Sequence, residues 1–166
     1  MMVQAFVGMG SNLGDREMQC QAAMDRLALL PATSLSRVSP FFDTPPQEGV
    51  GGGPFLNAVA EIATTLPPRL LLDHLRGIEA DLGRAVDHPP GSARTMDLDI
   101  LLYDDLVLHE PGLTIPHPRM AGRWFVLAPL AAIAPTLRHP VLGATMTELL
   151  RRLSPDGSAV PLGARS

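Results

Sequence analysis

Apolar positions recur along this chain at two periods, and each change of period marks a new element. Val3 to Met9 reads as a short strand, after which Gly8, Gly10 and Gly14 surround Ser11 and Asn12 in a turn that enters a helix with Asp15 as its N-cap. Cys20, Ala23, Met24, Leu27 and Leu30 then recur at helical spacing, a face suited to packing on a sheet, and Pro31 stops the helix. Leu35 to Asp43 and Phe55 to Thr65 predict two further strands, the second strongly alternating. Residues 44–54 between them are too rich in glycine and proline to be regular and predict a long loop. A second helix begins at Pro67 and Pro68, carries Leu71, Leu75, Ile78 and Leu82 on one face, and ends at Gly83 as the residue just past its C-terminus. Arg76 and Glu79 share a different face of it. Residues 85–94 predict another irregular loop, followed by a strand from Thr95 to Tyr103 and an Asp104-Asp105 turn. The remaining chain predicts short elements between prolines, and residues 154–166 a loose tail.

The order strand, helix, strand, strand, helix, strand is that of the ferredoxin-like split βαβ unit. The expected fold is therefore α+β, a sandwich with a mainly antiparallel sheet, helices packed on one of its faces and long loops at the site. A single domain over residues 1–153 is expected, with 154–166 as its tail. The order of elements identifies no activity by itself.

Composition narrows the chemistry. At 166 residues with 46% hydrophobic and 18% charged, the chain can bury one core and has no room for two full-sized ones. All 13 basic residues are arginine, so mechanisms needing a lysine Schiff base or a Walker-type phosphate lysine are excluded. A net charge of −4 argues against a broad nucleic-acid footprint while leaving room for a small phosphorylated substrate held by a few arginines. The single Cys20 allows no internal disulfide and no multi-cysteine zinc site, and a reduced cytoplasm is the expected compartment. The first residues lack a basic n-region, and their apolar run is too short for a signal segment or a membrane span; they read as the mature start.

The most informative stretch is Arg94-Thr-Met-Asp-Leu-Asp-Ile-Leu-Leu-Tyr103. In a strand it turns Thr95, Asp97, Asp99 and Leu101 one way and Met96, Leu98, Ile100 and Leu102 the other. Two carboxylates on one face repel unless a cation lies between them, and magnesium takes one or two carboxylates plus phosphate oxygens and water. A solvated strand edge with alternating charges is the competing reading, and spacing alone leaves the two even. Phe55 and Asn57 share a strand face that could stack a flat ring and bond its edge, although Phe55 is equally compatible with ordinary core. His117 sits between Pro116 and Pro118, with Arg119 and Arg123 close behind. Arg84 and Arg94 bracket the second loop and could swing onto a polyphosphate, or could simply be surface arginines. The run Gly8 to Gly14 misses the dinucleotide spacing because its third glycine falls one position late, so a tight turn with positive φ is the preferred reading. His74, His88, His109 and His139 have no metal-ligand spacing.

Taken together, Gly8-Met-Gly-Ser-Asn-Leu-Gly14, Thr44-Pro-Pro46, Phe55-Leu-Asn57, Ile78-Glu79, Arg94-Thr-Met-Asp-Leu-Asp-Ile100 and Ile115-Pro-His117 resemble the 6-hydroxymethyl-7,8-dihydropterin pyrophosphokinase family of folate biosynthesis, in the same order from about residue 3 to about residue 135. The resemblance implies transfer of the β,γ-pyrophosphoryl group of ATP to the pterin's hydroxymethyl oxygen, with release of AMP. It implies two Mg²⁺ ions bridged by Asp97 and Asp99, with Arg84 and Arg94 as catalytic loop arginines. It further implies Phe55 and Phe125 as rings around the pterin, Thr44, Pro45, Gln47 and Asn57 reading its edge, and Arg76, Glu79, Arg94, Ile100, Thr114, His117 and Arg123 as ATP-site positions. A monomeric cytoplasmic enzyme acting on small molecules, with neither nucleic acid nor membrane as partner, is the accompanying expectation. The chain departs from the family at Asp87 to Ala93, where many relatives carry further basic residues and Trp-Gly-Pro, at Arg76, where some have glutamine, and at Pro118, where some have tyrosine. A magnesium-dependent phosphohydrolase and a non-catalytic ferredoxin-like binding module are the competing readings.

Overall fold

The computed structural model describes residues 1–12, 15–44, 55–83 and 96–153 in full, and Arg84 by its backbone. The elements run β1 (Val3–Ser11), α1 (Arg16–Ala28), β2 (Thr33–Val38), β3 (Phe42–Thr44), β4 (Phe55–Thr64), α2 (Pro68–Arg84), β5 (Asp97–Tyr103), β6 (Leu108–Glu110), β7 (Leu113–Ile115), a 3₁₀ turn at Met120–Gly122, α3 (Trp124–Ile133) and α4 (Met146–Leu153). The main sheet has the order β2-β4-β1-β5, with β3 also paired to β4, and every pairing in it is antiparallel. This is the predicted split βαβ order, with β4 inserted between β1 and β2. No helix among the described residues is long and apolar enough to cross a membrane.

Local chemistry accounts for the element boundaries and for where they depart from the sequence reading. Asp15 caps α1 as expected, its carboxylate accepting from the Met18 N–H at 3.1 Å. The helix ends at Ala28, ahead of Leu30, because a residue preceding proline is driven out of the α region. The single strand expected over 35–43 is instead two, starting at Thr33 and interrupted at Ser39 and Pro40. Pro40 has no N–H to give a ladder, and Ser39 bridges the gap by pairing its N–H and its hydroxyl with Val59 O and Val59 N, both at 2.9 Å. α2 runs through Gly83 to Arg84, so Gly83 is helical instead of a C-terminal reversal. One glycine costs a helix only about 1 kcal/mol, which the buried face of α2 outweighs.

Two apolar layers clamp the sheet. On one face Ala5, Val7, Leu98 and Ile100 pack with Cys20, Ala23, Met24 and Leu27 of α1 and Leu71, Leu75 and Ile78 of α2. On the other, Phe6, Val59 and Leu101 pack with Leu127 and Leu130 of α3 and Met146 and Leu149 of α4. Helices thus cover both faces, not one, and the last third of the chain is more regular than expected. α3 is apolar almost throughout and contains Pro129, so it shows no 3.6-residue period to read.

Candidate active site

The face of the sheet toward α3 is locally stripped of side chains, and that gap is the candidate site. Alternation along β1 places Gly8 and Gly10 on this face, where they pair with Asp99 and Asp97 of β5 on one side and with Val59 and Asn57 of β4 on the other. Thr44, Phe55 and the segment Arg123 to Val126 complete the walls of a cleft of about 400 Å³. Neither glycine takes a positive φ, and the strand runs through both to Ser11, past the expected end at Met9; Gly14, the third glycine of the expected turn, lies outside the described residues. What Gly10 supplies is close approach: a Cβ there would lie 2.9 Å from Asn57 Oδ1 and 3.5 Å from Phe55 Cδ1.

One wall is acidic. Asp97 and Asp99 are half-buried beside each other on β5 and line the cleft, while the Leu98 side chain between them points into the opposite core. His117 joins them: its N–H donates to Leu101 O at 2.9 Å, and its Nε2 lies 4.0 Å from Asp99 Oδ2. Its Nδ1 accepts from the Arg119 N–H at 3.2 Å, which places the proton of the neutral ring on Nε2, toward the acidic wall. Burial lowers the His117 pKa, Asp99 partly opposes this, and Arg123 and Arg119 reinforce it. His117 is therefore a neutral donor at pH 7.

The other wall reads hydrogen bonds. Asn57 Nδ2 donates to Thr44 Oγ1 at 2.7 Å, and that hydroxyl donates to Phe55 O at 3.2 Å, so the amide is held in one orientation. Phe55 and Phe125 both line the cleft, with Arg123 stacked 5.6 Å from the Phe125 centroid and Trp124 meeting Phe125 edge-on at 6.5 Å. Arg16 ties the start of α1 to Asp43 of β3 at 2.8 Å, next to Thr44.

Of the residues singled out from the sequence, Asp97, Asp99, Thr44, Phe55, Asn57, Phe125 and Arg123 meet in this cleft, with His117 at its acidic end. Ile100 is buried in the α1–α2 layer, Thr114 sits on β7 opposite His109, and Arg76 and Glu79 hold the outer edge of β5. Pro45, Gln47, Arg94 and the Arg84 side chain lie outside the described residues. Gly8 and Gly10 as a floor, and Trp124, Val59 and Leu101 as lining, were not singled out. Glycines at i and i+2 within a strand are the signal that finds the floor, since they strip one face.

Among the described residues no three His, Cys, Asp or Glu side chains cluster as a closed metal cage. Two half-buried carboxylates open to a cleft instead suit a hard divalent ion whose shell is completed by water and phosphate oxygens.

A sequence model of the 7,8-dihydro-6-hydroxymethylpterin-pyrophosphokinase family matches residues 6–135. The chain is 44% identical to the 2-amino-4-hydroxy-6-hydroxymethyldihydropteridine pyrophosphokinase of Pseudomonas aeruginosa, over 90% of this chain and 91% of that protein. It is 39% identical to the enzyme of the same name from Haemophilus influenzae, over 92% and 94%. The fold is similar to that of a crystal structure of Plasmodium falciparum HPPK-DHPS, with TM-score 0.75 and 13% identity over 98% of this chain; the chain spans about half of that longer one, 46%.

Proposed function

The chain belongs to the 7,8-dihydro-6-hydroxymethylpterin-pyrophosphokinase family, and from that premise we propose that it transfers pyrophosphate from ATP to 6-hydroxymethyl-7,8-dihydropterin, a step of folate biosynthesis. The observation that carries this is one cleft holding an acidic wall and a ring-reading wall on either side of a glycine floor. A flat acceptor and a polyphosphate donor can meet there with no side chain between them.

In the reaction the acceptor's hydroxymethyl oxygen attacks the β phosphorus of ATP. The bond from that phosphorus to the α,β-bridging oxygen breaks, AMP leaves, and the hydroxyl proton is released. Such in-line transfer needs alignment and charge neutralisation more than a protein nucleophile, so the absence of lysine is no obstacle. Asn57, oriented by Thr44, bonds the acceptor's edge while Phe55 and Phe125 hold its faces, with Pro45 and Gln47 adding contacts. Asp97 and Asp99 would hold Mg²⁺, two ions on the family pattern, which when bound supplies charge neutralisation to the triphosphate. His117 offers Nε2–H to an anionic oxygen and Arg123 a guanidinium, and on the family pattern Ile100 and Thr114 add nucleotide contacts from outside the cleft's lining. Arg84 and Arg94 approach the phosphates and help exclude water. The enzyme acts as a monomer in the cytoplasm.

The test is incubation of the protein with ATP, magnesium and 6-hydroxymethyl-7,8-dihydropterin, with and without the pterin, resolving AMP from ADP by chromatography. AMP formed only with pterin is the expected result. Phosphate release with ADP and no pterin dependence would instead make the protein a phosphohydrolase, and binding without any product would make it a binding module.

A further inference from the structure

Leu98 lies between the two aspartates, and its backbone is gripped from outside the sheet by charged side chains that do not line the cleft. Glu79 Oε2 accepts from the Leu98 N–H at 2.7 Å, and Arg76 Nη1 donates to the Leu98 carbonyl at 2.9 Å. The same Arg76 nitrogen bonds Glu79 Oε1 at 2.9 Å, closing a ring of three partners. Among the described residues β5 is the last strand on this side of the sheet, so without α2 both Leu98 groups would face outward with no described ladder partner. α2 thus supplies, through two side chains, what a neighbouring strand would supply through its backbone.

We propose that Arg76 and Glu79 are positioning residues for the acidic pair: by fixing the peptide groups of Leu98 they set the separation and tilt of Asp97 and Asp99 over the glycine floor. The inference rests on the proposed function, in which those aspartates carry the metal-bound triphosphate. The two carboxylates start one strand repeat apart, roughly 7 Å between their Cα atoms. A turn of either peptide plane at Leu98 would move both carboxylates relative to β1. An octahedral ion tolerates little such misplacement, and neither does in-line transfer. The grip is stiff because α2 is anchored one face round by Leu71, Leu75 and Ile78, each at most 1% exposed. Arg76 also neutralises Glu79, so the nearly buried carboxylate can accept from Leu98 without adding an unbalanced charge behind the site.

Three variants test the proposal: Arg76→Met, which removes the donor; Arg76→Gln, which keeps an N–H able to reach Leu98 O; and Glu79→Gln, which loses the charge and one acceptor. The readouts are kcat and KM for both substrates, the magnesium concentration giving half-maximal rate, and hydrogen exchange of the Leu98 amide in the ligand-free protein. Arg76→Met and Glu79→Gln should lower kcat roughly tenfold to a hundredfold and raise the magnesium requirement, the usual scale for groups that orient ligands. KM for the pterin should not change, Leu98 should exchange faster while Leu27 and Ile62 keep their protection, and Arg76→Gln should retain most of kcat. A raised KM for ATP at unchanged kcat and unchanged Leu98 exchange would overturn the proposal in favour of direct nucleotide contact. Equal losses in Arg76→Gln and Arg76→Met, or unchanged kinetics in every variant, would also overturn it. Failure of the underlying reading looks different: wild-type protein that makes no AMP, or a fully active Asp97→Ala.

Discussion

A methyl group at position 10 would press on Asn57 Oδ1 at 2.9 Å, and the amide cannot turn away without leaving Thr44. Gly10→Ala should therefore raise KM for the pterin by roughly tenfold, about 1.4 kcal/mol of lost interaction, and lower the free energy of unfolding by about 1–3 kcal/mol. Gly8→Ala should be milder, since its Cβ meets only the flexible end of Leu101 at 3.2 Å; steady-state kinetics on the two variants separates them. Asp97→Ala and Asp99→Ala should each cost at least about a hundredfold in kcat, the scale of a lost electrostatic contact to a transition state, with the circular dichroism spectrum intact. At this scale the sequence was readable where a residue type has few uses. The paired aspartates, Asn57 and His117 announce polar work, whereas a glycine inside a strand announces itself only when its face is asked about.

Among the elements, α1 was legible because its period is clean, with Cys20, Ala23, Met24 and Leu27 on one stripe, and β5 as far as Ile100; beyond it a register shift against β1 puts Leu102 with Phe6 on the α3 face, not with Leu98 and Ile100 as alternation predicts. The break between β2 and β3 was not, because residues 35–43 keep strand-like content through it and only the tertiary partner Val59 shows that Ser39 replaces a ladder contact. Ser39→Ala leaves the buried Val59 N–H without its acceptor and should lower the free energy of unfolding by about 1–2 kcal/mol, measured by urea denaturation. Leu75→Ala, at a fully buried position of α2, should cost about 2–5 kcal/mol in the same assay. α3 escaped reading for the opposite reason: Trp124 to Ile133 is apolar on all sides, so no stripe distinguishes the face that covers Phe6 and Leu101.

Across the whole molecule, the helical layer on the second face, which the order of the first six elements does not foretell, is what turns a sheet surface into a cleft. Its counterpart on the first face buries Cys20, and burial pushes that thiol from 9.0 to about 12. The unfolded chain releases the proton near the lower value while the folded chain keeps it. The thiol's contribution to stability is thus fully present below pH 9 and is lost as pH rises from 9 toward 12. Denaturation of wild type and Cys20→Ala across that range should show the steeper alkaline loss in wild type, and thiol reagents should label the native protein only as fast as it unfolds.

The cleft draws its walls from strands at both ends of the first hundred residues and from a helix beyond them, from Gly8 to Val126. Any molecule seated there staples together stretches that are neighbours only in the native state. Ligand at a hundredfold its dissociation constant adds about 2.7 kcal/mol against unfolding, spread over the entire chain. A cell rich in either substrate would therefore hold this protein longer against its proteases than a starved one, so that supply of the reactants governs the enzyme's lifetime as well as its rate.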